Sequence, residues 1–169
     1  MKVETVQVGY LETNCYLLDI NNKVVIIDPG DDFFKIKKAV GNRKVVGVLI
    51  THFHGDHIGA LEEVLSYYDA DLNKVNDKSF IYKEIETPGH TMESKTFYFE
   101  KDKMMFAGDF IFYNSIGRTD LGGSDTLMQK SLNEISKYPD DITIYPGHGP
   151  KTTLGHEKKN FKYYYWKVD

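Results

Sequence analysis

Apolar and polar residues alternate in short blocks along the first half of the chain. Val3, Val6 and Val8, with polar residues between them, predict a first strand that ends at Gly9. Residues 14–19 (Asn-Cys-Tyr-Leu-Leu-Asp) predict a second strand, and Asn21-Asn22 a tight hairpin turn. Residues 23–28 (Lys-Val-Val-Ile-Ile-Asp) form a third. Their continuous apolar run predicts burial on both faces. Asp28-Pro29-Gly30 ends it. Phe33, Ile36, Lys37 and Val40 fit a short helix closed by Gly41. Residues 45–50 are apolar, mostly β-branched and of strand length, and Ile58, Leu61, Leu65 and Tyr68 predict a helix over residues 58–68.

Periodicity weakens over the polar stretch 69–79. Strand character returns at residues 80–85 and leads into Thr87-Pro88-Gly89-His90. Residues 96–99 and 104–107 predict two strands joined at Lys101-Asp102-Lys103, the second running into Gly108-Asp109. Ser124 is placed to cap a helix carrying Leu127, Met128, Leu132 and Ile135. Residues 142–145 predict a last strand, followed by Pro146-Gly147-His148-Gly149-Pro150. A helix is expected from Glu157 onward. Its aromatic stripe of Phe161, Tyr164, Tyr165 and Trp166 would pack on the body of the fold or on a partner subunit. There is no repeat, linker or low-complexity segment, so the 169 residues are expected to form one domain, 1–169.

The chemistry concentrates between the strand at 45–50 and the helix that follows, in Thr51-His52-Phe53-His54-Gly55-Asp56-His57. Three imidazoles and a carboxylate lie within six residues. A strand-to-helix loop can aim several side chains at one point while the scaffold holds it still. Single loop histidines are usually just surface polar residues. Three of the six histidines of the chain in one such loop point instead to a metal, with zinc, iron and manganese all suited to imidazole and carboxylate. A pattern then recurs: a strand, a Gly or Pro-Gly, and a ligand-type residue, as in Gly89-His90, Gly108-Asp109 and Gly147-His148. Glycine permits a tight turn and close backbone approach. His52, His54, Asp56, His57, His90, Asp109 and His148 make seven candidate ligands. One tetrahedral ion takes about four. The set suits two ions sharing a carboxylate, roughly 3.5–4 Å apart.

Composition narrows the partners. The net charge of −4 offers no basic field for nucleic acid. A single cysteine, Cys15, excludes an internal disulfide and supplies no thiolate cage; it reads as a packed core residue. No signal-like apolar core opens the chain, and no run approaches the ~20 apolar residues that span a bilayer. The expectation is a cytoplasmic protein acting on a small molecule, with no membrane or nucleic-acid partner.

The Thr-His-Xaa-His-Xaa-Asp-His loop, followed by Pro88-Gly89-His90, Gly108-Asp109 and Pro146-Gly147-His148, resembles the metallo-β-lactamase superfamily over nearly the whole chain. The segments Gly117-Arg118-Thr119-Asp120-Leu121-Gly122-Gly123-Ser124 and 146–157 are similar to its small glyoxalase II-like hydrolases. Two departures are Thr91-Met92-Glu93-Ser94, where the family commonly has Thr-Pro-Gly-Ser, and Ala60 in place of a usual glycine. The resemblance implies an α/β (α+β) fold, a four-layer αββα sandwich. It implies that His52, His54 and His90 hold one ion, that Asp56, His57 and His148 hold the other, and that Asp109 bridges. It leaves His156 outside the set, as a structural or surface histidine. Asp28 would orient a ligand histidine or simply close the turn before Pro29-Gly30.

The activity implied is a metal-dependent thioester hydrolase. Two divalent ions, zinc foremost, would make hydroxide available near neutral pH to attack a thioester or related ester carbonyl. Asp56 and Asp109 act first as ligands, with any proton transfer secondary. The rivals are a mononuclear iron persulfide dioxygenase built on His52, His90 and Asp109, an RNA nuclease, and a non-catalytic metal-binding domain. The chain has only residues 161–169 where glyoxalase II enzymes carry a glutathione-binding helical region. Arg118 and Tyr113 read either as substrate contacts or, for Arg118, as a brace with Asp120. Lys151-Thr152-Thr153 reads as groove lining or as a capped turn.

Overall fold

A computed structural model describes residues 1–164. The chain divides into two compact units, Met1–Ile81 and Tyr82 onward. The first unit contains β1 (Lys2–Val8), β2 (Thr13–Ile20), β3 (Lys23–Ile27), α1 (Phe33–Val40), β4 (Lys44–Leu49), α2 (Gly55–Ile58), α3 (Leu61–Tyr68) and β5 (Lys74–Val75). Its strands form one sheet in the order β1-β2-β3-β4-β5, antiparallel except for the parallel pair β3–β4. One sheet face supplies Val6, Val8, Cys15, Leu17, Val24, Ile26, Val48 and Ile50 to a core closed by Ile36 and Val40 of α1 and Leu61 and Val64 of α3. The intervening Leu18, Val25, Ile27 and Leu49 are buried as well, so β3 is covered on both faces as its apolar run predicts.

The second unit contains β6 (Lys83–Glu86), β7 (Lys95–Phe99), β8 (Met104–Gly108), the short pair β9 (Ile111–Phe112) and β10 (Ser115–Ile116), α4 (Asp125–Ile135), β11 (Thr143–Pro146), β12 (Thr152–Thr153) and α5 (Leu154–Tyr164). Its five-stranded sheet runs β12-β11-β8-β7-β6, with β8 and β11 parallel. Tyr98, Met105, Ala107 and Ile144 pack against Met128, Leu132 and Ile135 of α4 and Leu154 and Phe161 of α5. Ser124 caps α4 as expected, its hydroxyl accepting from Leu127 N at 3.3 Å.

Three elements differ from the periodicity. The helix expected at 58–68 is two pieces, because Gly59 N donates to Gly30 O (2.9 Å) and Ala60 N to Pro29 O (3.0 Å). These amides serve the loop after β3 rather than their own helix. The loops pack so closely that a Cβ on Gly59 would lie 2.3 Å from Gly30 O, and one on Gly30 would lie 1.8 Å from Asp56 O. The strand expected at 80–85 begins at Lys83, where pairing with β7 starts; Phe80 is still in a turn, donating its N–H to Asp77 O at 3.3 Å. The last helix begins at Leu154, one turn early, because Thr153 Oγ1 accepts from His156 N (3.3 Å) and so caps the first turn. Tyr165 and Trp166 of the aromatic stripe lie outside the described residues.

Among the described residues no helix is long and apolar enough to cross a membrane. Cys15 has no exposed surface, and burial, with the Asp28 carboxylate nearby, raises its thiol well above the usual value. The folded protein is therefore expected to resist iodoacetamide at pH 8, with one thiol becoming reactive in guanidinium. Rapid alkylation of the native protein, read by mass spectrometry, would contradict the buried, protonated thiol.

Candidate metal centre

In the first unit the candidate ligands leave the end of the parallel pair β3–β4. Ile27 pairs with Leu49, and Asp28 N donates to Leu49 O at 3.0 Å, so Asp28 and Thr51 emerge side by side. Asp28 takes a left-handed backbone (φ 52°) and is buried. Its Oδ1 accepts from Thr51 N at 2.8 Å and its Oδ2 from Thr51 Oγ1 at 2.6 Å. Oδ2 also lies 2.8 Å from His57 Nδ1. One carboxylate thus grips both ends of the His52–His57 loop.

Those contacts fix where the protons are. An ionised carboxylate only accepts, so Thr51 donates its single hydroxyl proton to Asp28, and His57 donates from Nδ1. Thr51 Oγ1 is 3.1 Å from His52 Nδ1 and has no second proton to give, so His52 Nδ1 is the donor there. Both rings are the Nδ1–H tautomer when neutral, which leaves the Nε2 lone pairs for a metal. His54 precedes α2, and its carbonyl accepts from His57 N at 2.9 Å. The ring centroids of His54 and His57 lie 4.8 and 4.2 Å from that of His52. Asp56 Oδ2 accepts from Thr13 Oγ1 at 2.9 Å and stands 3.5 Å from His57 Nε2.

The second unit repeats the device. The parallel strands β8 and β11 end together, with Pro146 opposite Gly108 and Gly147 N donating to Gly108 O at 2.8 Å. Their next ligand-type residues are Asp109 and His148. His90 follows β6 in a turn where Thr91 Oγ1 and Ser94 Oγ meet at 2.7 Å, so two hydroxyls close the loop around Met92-Glu93. His90 Nδ1 donates to Arg118 O at 2.7 Å, so Nε2 is the unprotonated nitrogen of the neutral ring. Arg118 O can reach it because Gly117 has no side chain; a Cβ there would lie 1.7 Å from Asp109 O and 3.1 Å from His90 Nδ1. Asp109 Oδ2 is 3.5 Å from both His90 Nε2 and His148 Nε2. Two atoms bound at about 2.0–2.1 Å to one tetrahedral ion stand about 3.3–3.4 Å apart, so these spacings and this donor set fit divalent metal ligation.

Other residues singled out in the sequence have plainer places. Arg118 is exposed and grips Asp120 through Nε (2.6 Å) and Nη2 (2.5 Å), holding that carboxyl down at about 2. Tyr113 stacks on His156, with centroids 5.4 Å apart and planes 11° from parallel. His156 Nε2 is 2.7 Å from Asn114 Oδ1. Sequence reasoning did not anticipate Thr13, Thr51 or the Arg118 carbonyl. Thr13 has no ligand pattern beside it, Thr51 opens the ligand motif without being a ligand type itself, and a carbonyl has no residue signature.

The profile of the metallo-beta-lactamase superfamily matches residues 8–81 and 71–148. Hydroxyacylglutathione hydrolase GloC of Haemophilus influenzae is 27% identical, over 95% of this chain and 96% of that protein. Among solved structures, BLEG-1 B3 metallo-beta-lactamase superposes with a TM-score of 0.89 at 28% identity, covering 96% of this chain and 99% of that one. TTHA1623, solved in a di-iron-bound form, gives 0.84 at 27% identity over 94% and 98%. ETHE1 from Myxococcus xanthus gives 0.86 at 23% identity over 98% and 85%, a likeness of fold. The mixed α/β fold of the chain is the one these proteins share.

The Asp28 proton network generates a sharp expectation. In Asp28→Asn an NH2 replaces an acceptor facing His57 Nδ1 and Thr51 Oγ1. His57 Nδ1 then accepts, Thr51 donates to His52 instead, and both rings shift toward the Nε2–H tautomer. Metal affinity is expected to fall about 10–100-fold, the usual cost of losing a partner behind a ligand. Chelator competition would measure the loss, and ¹⁵N imidazole shifts of the metal-free protein would report the tautomers. Unchanged tautomers would refute the proton assignment.

Proposed function

Since the chain belongs to the metallo-β-lactamase superfamily, whose members are generally metal-dependent enzymes, we propose that it is a dinuclear metal hydrolase of small thioesters, of the glyoxalase II-like type. His52, His54 and His90 would hold one ion, Asp56, His57 and His148 the other, and Asp109 both. The observation that carries the reading is the single oxygen of Asp109, 3.5 Å from the Nε2 atoms of both His90 and His148. A carboxylate shared in this way suits a bridging ligand. The near end-to-end match to a hydroxyacylglutathione hydrolase supports the thioester class. The same reading takes residues 1–169 as one catalytic domain, since the superfamily profile runs through both units. It takes the ions as zinc, with iron and manganese as the alternatives that imidazole and carboxylate also bind. It takes the compartment as cytoplasmic and the partner as a small molecule.

Bound ions would supply hydroxide at neutral pH and polarise the substrate carbonyl. The residues of the chain do the rest. Asp28 and the Arg118 carbonyl hold His57, His52 and His90 with Nε2 unprotonated. Thr13 fixes the rotamer of Asp56 through Oδ2. No side-chain nucleophile is needed, because a thiolate leaves readily and Cys15 is buried in the core. A mononuclear persulfide dioxygenase would use His52, His90 and Asp109 and would give Asp56 and His148 no ligand role.

Metal content and thioester turnover decide between the two. The protein purified without added metal is expected to carry two ions per chain and to cleave a hydroxyacyl thioester. Asp56→Ala and His148→Ala should each lower turnover on the order of 10²–10³-fold, the scale of losing a preorganised charge-stabilising group. One iron per chain, no thioesterase activity and oxygen uptake with a persulfide would replace the hydrolase by the dioxygenase.

A further inference from the structure

Glu157 lies in the first turn of α5 and has no exposed surface. A buried carboxylate is costly unless donors surround it. Here Asn114 N donates to Oε1 and Oε2 at 3.2 and 3.1 Å, and Thr152 Oγ1 donates to Oε1 at 2.6 Å. Its only ion-pair contact among the described residues is His156 Nε2 at 3.8 Å. An apolar side chain in its place would leave the Asn114 N–H and the Thr152 hydroxyl without this acceptor, so the buried charge is tied to holding those two groups.

Its partners are informative. Asn114 occupies the turn between β9 and β10, five residues after Asp109, in a left-handed conformation (φ 56°). Thr152 is in β12, four residues after His148. Both strands issue from ligand-bearing loops. The first turns of α5 hold the Asn114 turn a second time, through His156 Nε2 to Asn114 Oδ1 (2.7 Å) and the stack of Tyr113 on His156. Phe112, between Asp109 and Asn114, meets the His148 ring edge-on at 6.1 Å. Metal ligation tolerates displacements of only about 0.2 Å.

We propose that Glu157 is a positioning residue that sets the Asp109–His148 spacing by tying the two downstream strands to one helix. The inference rests on the dinuclear reading above for its consequence, though not for its geometry. In Gln an NH2 replaces one carboxylate oxygen: at the Oε2 place it faces the Asn114 N–H donor to donor, and at the Oε1 place it removes the acceptor of the Thr152 hydroxyl, so one of the two contacts is weakened.

The test uses the full chain stripped of metal. In Glu157→Gln, stepwise zinc titration against a chelator is expected to show the ion bound by His148 weakened about 10–100-fold, and the ion bound by His52 and His54, which shares only Asp109 with the loosened loops, weakened less. Hydrogen exchange of the metal-free protein should accelerate in residues 109–116 and 146–153 together, with 51–59 unchanged. Thr152→Val, a milder change, should loosen 146–153 alone and keeps the question open to test if Glu157→Gln does not fold. Wild-type affinity for both ions with unaltered exchange, or a uniform rise in exchange across the chain, would overturn the proposal. If wild-type protein binds a single ion, the dinuclear reading fails, and the exchange pattern still decides the clamp.

Discussion

The Asp28 carboxylate can accept protons and cannot give one, and much of the first unit follows from that. Placed at the end of β3, it forces Thr51 and His57 to donate, and through Thr51 it forces His52 to donate as well. A row of residues that would otherwise sample several tautomers and rotamers is left with one. The result is a pair of imidazoles that, when neutral, are unprotonated at the same atom, Nε2, with Asp28 itself outside the candidate ligand set. His90 reaches the same state by a different partner, the Arg118 carbonyl, because any acceptor that cannot donate imposes the same proton order.

Parallel strand pairs explain why the acceptors and ligands are where they are. Parallel strands end on the same side of a sheet, so residues just past each of them leave at one edge. In the first unit β3 and β4 bring Asp28 to Thr51; in the second, β8 and β11 bring Asp109 to His148. The remaining strand pairs in both sheets are antiparallel, and the histidine that follows β6 needs its own two-hydroxyl turn. Each unit thus spends its single parallel pair at the place where chemistry-bearing side chains gather.

The sequence announced these places unevenly. The apolar run of residues 23–28, the Ser124 cap and the Gly-ligand junctions are local signals, and they appear in the structure as written. The break at Gly59-Ala60 is not local. It depends on carbonyls of Pro29 and Gly30, some thirty residues earlier, capturing two amides that helical periodicity assigns to α3. The early start of α5 has a local cause, the Thr153 hydroxyl, but its signal competes with a turn reading of the same residues. The ligand types were legible because three histidines crowd one loop and the same Gly-ligand junction recurs after three strands. Thr13, Thr51 and the Arg118 carbonyl were not, because common residues and backbone atoms gain meaning only once the fold sets them against a ligand.

Arranging donors in advance has an energetic cost that bears on what the protein can do. Buried Asp28 and Glu157 give up hydration, and the hydrogen bonds they gain repay much of it but favour only one geometry. The preference for one geometry is what a metal exploits. A ligand that binds the folded chain and not the unfolded one adds its binding free energy to stability. Side chains already held in position lose little further entropy on binding. On the reading proposed above, folding meets the cost of ordering the candidate ligands before any ion arrives, and Asp28 and Glu157, which look least favourable as core residues, are the carboxylates that direct that cost to the sheet edges where those residues gather.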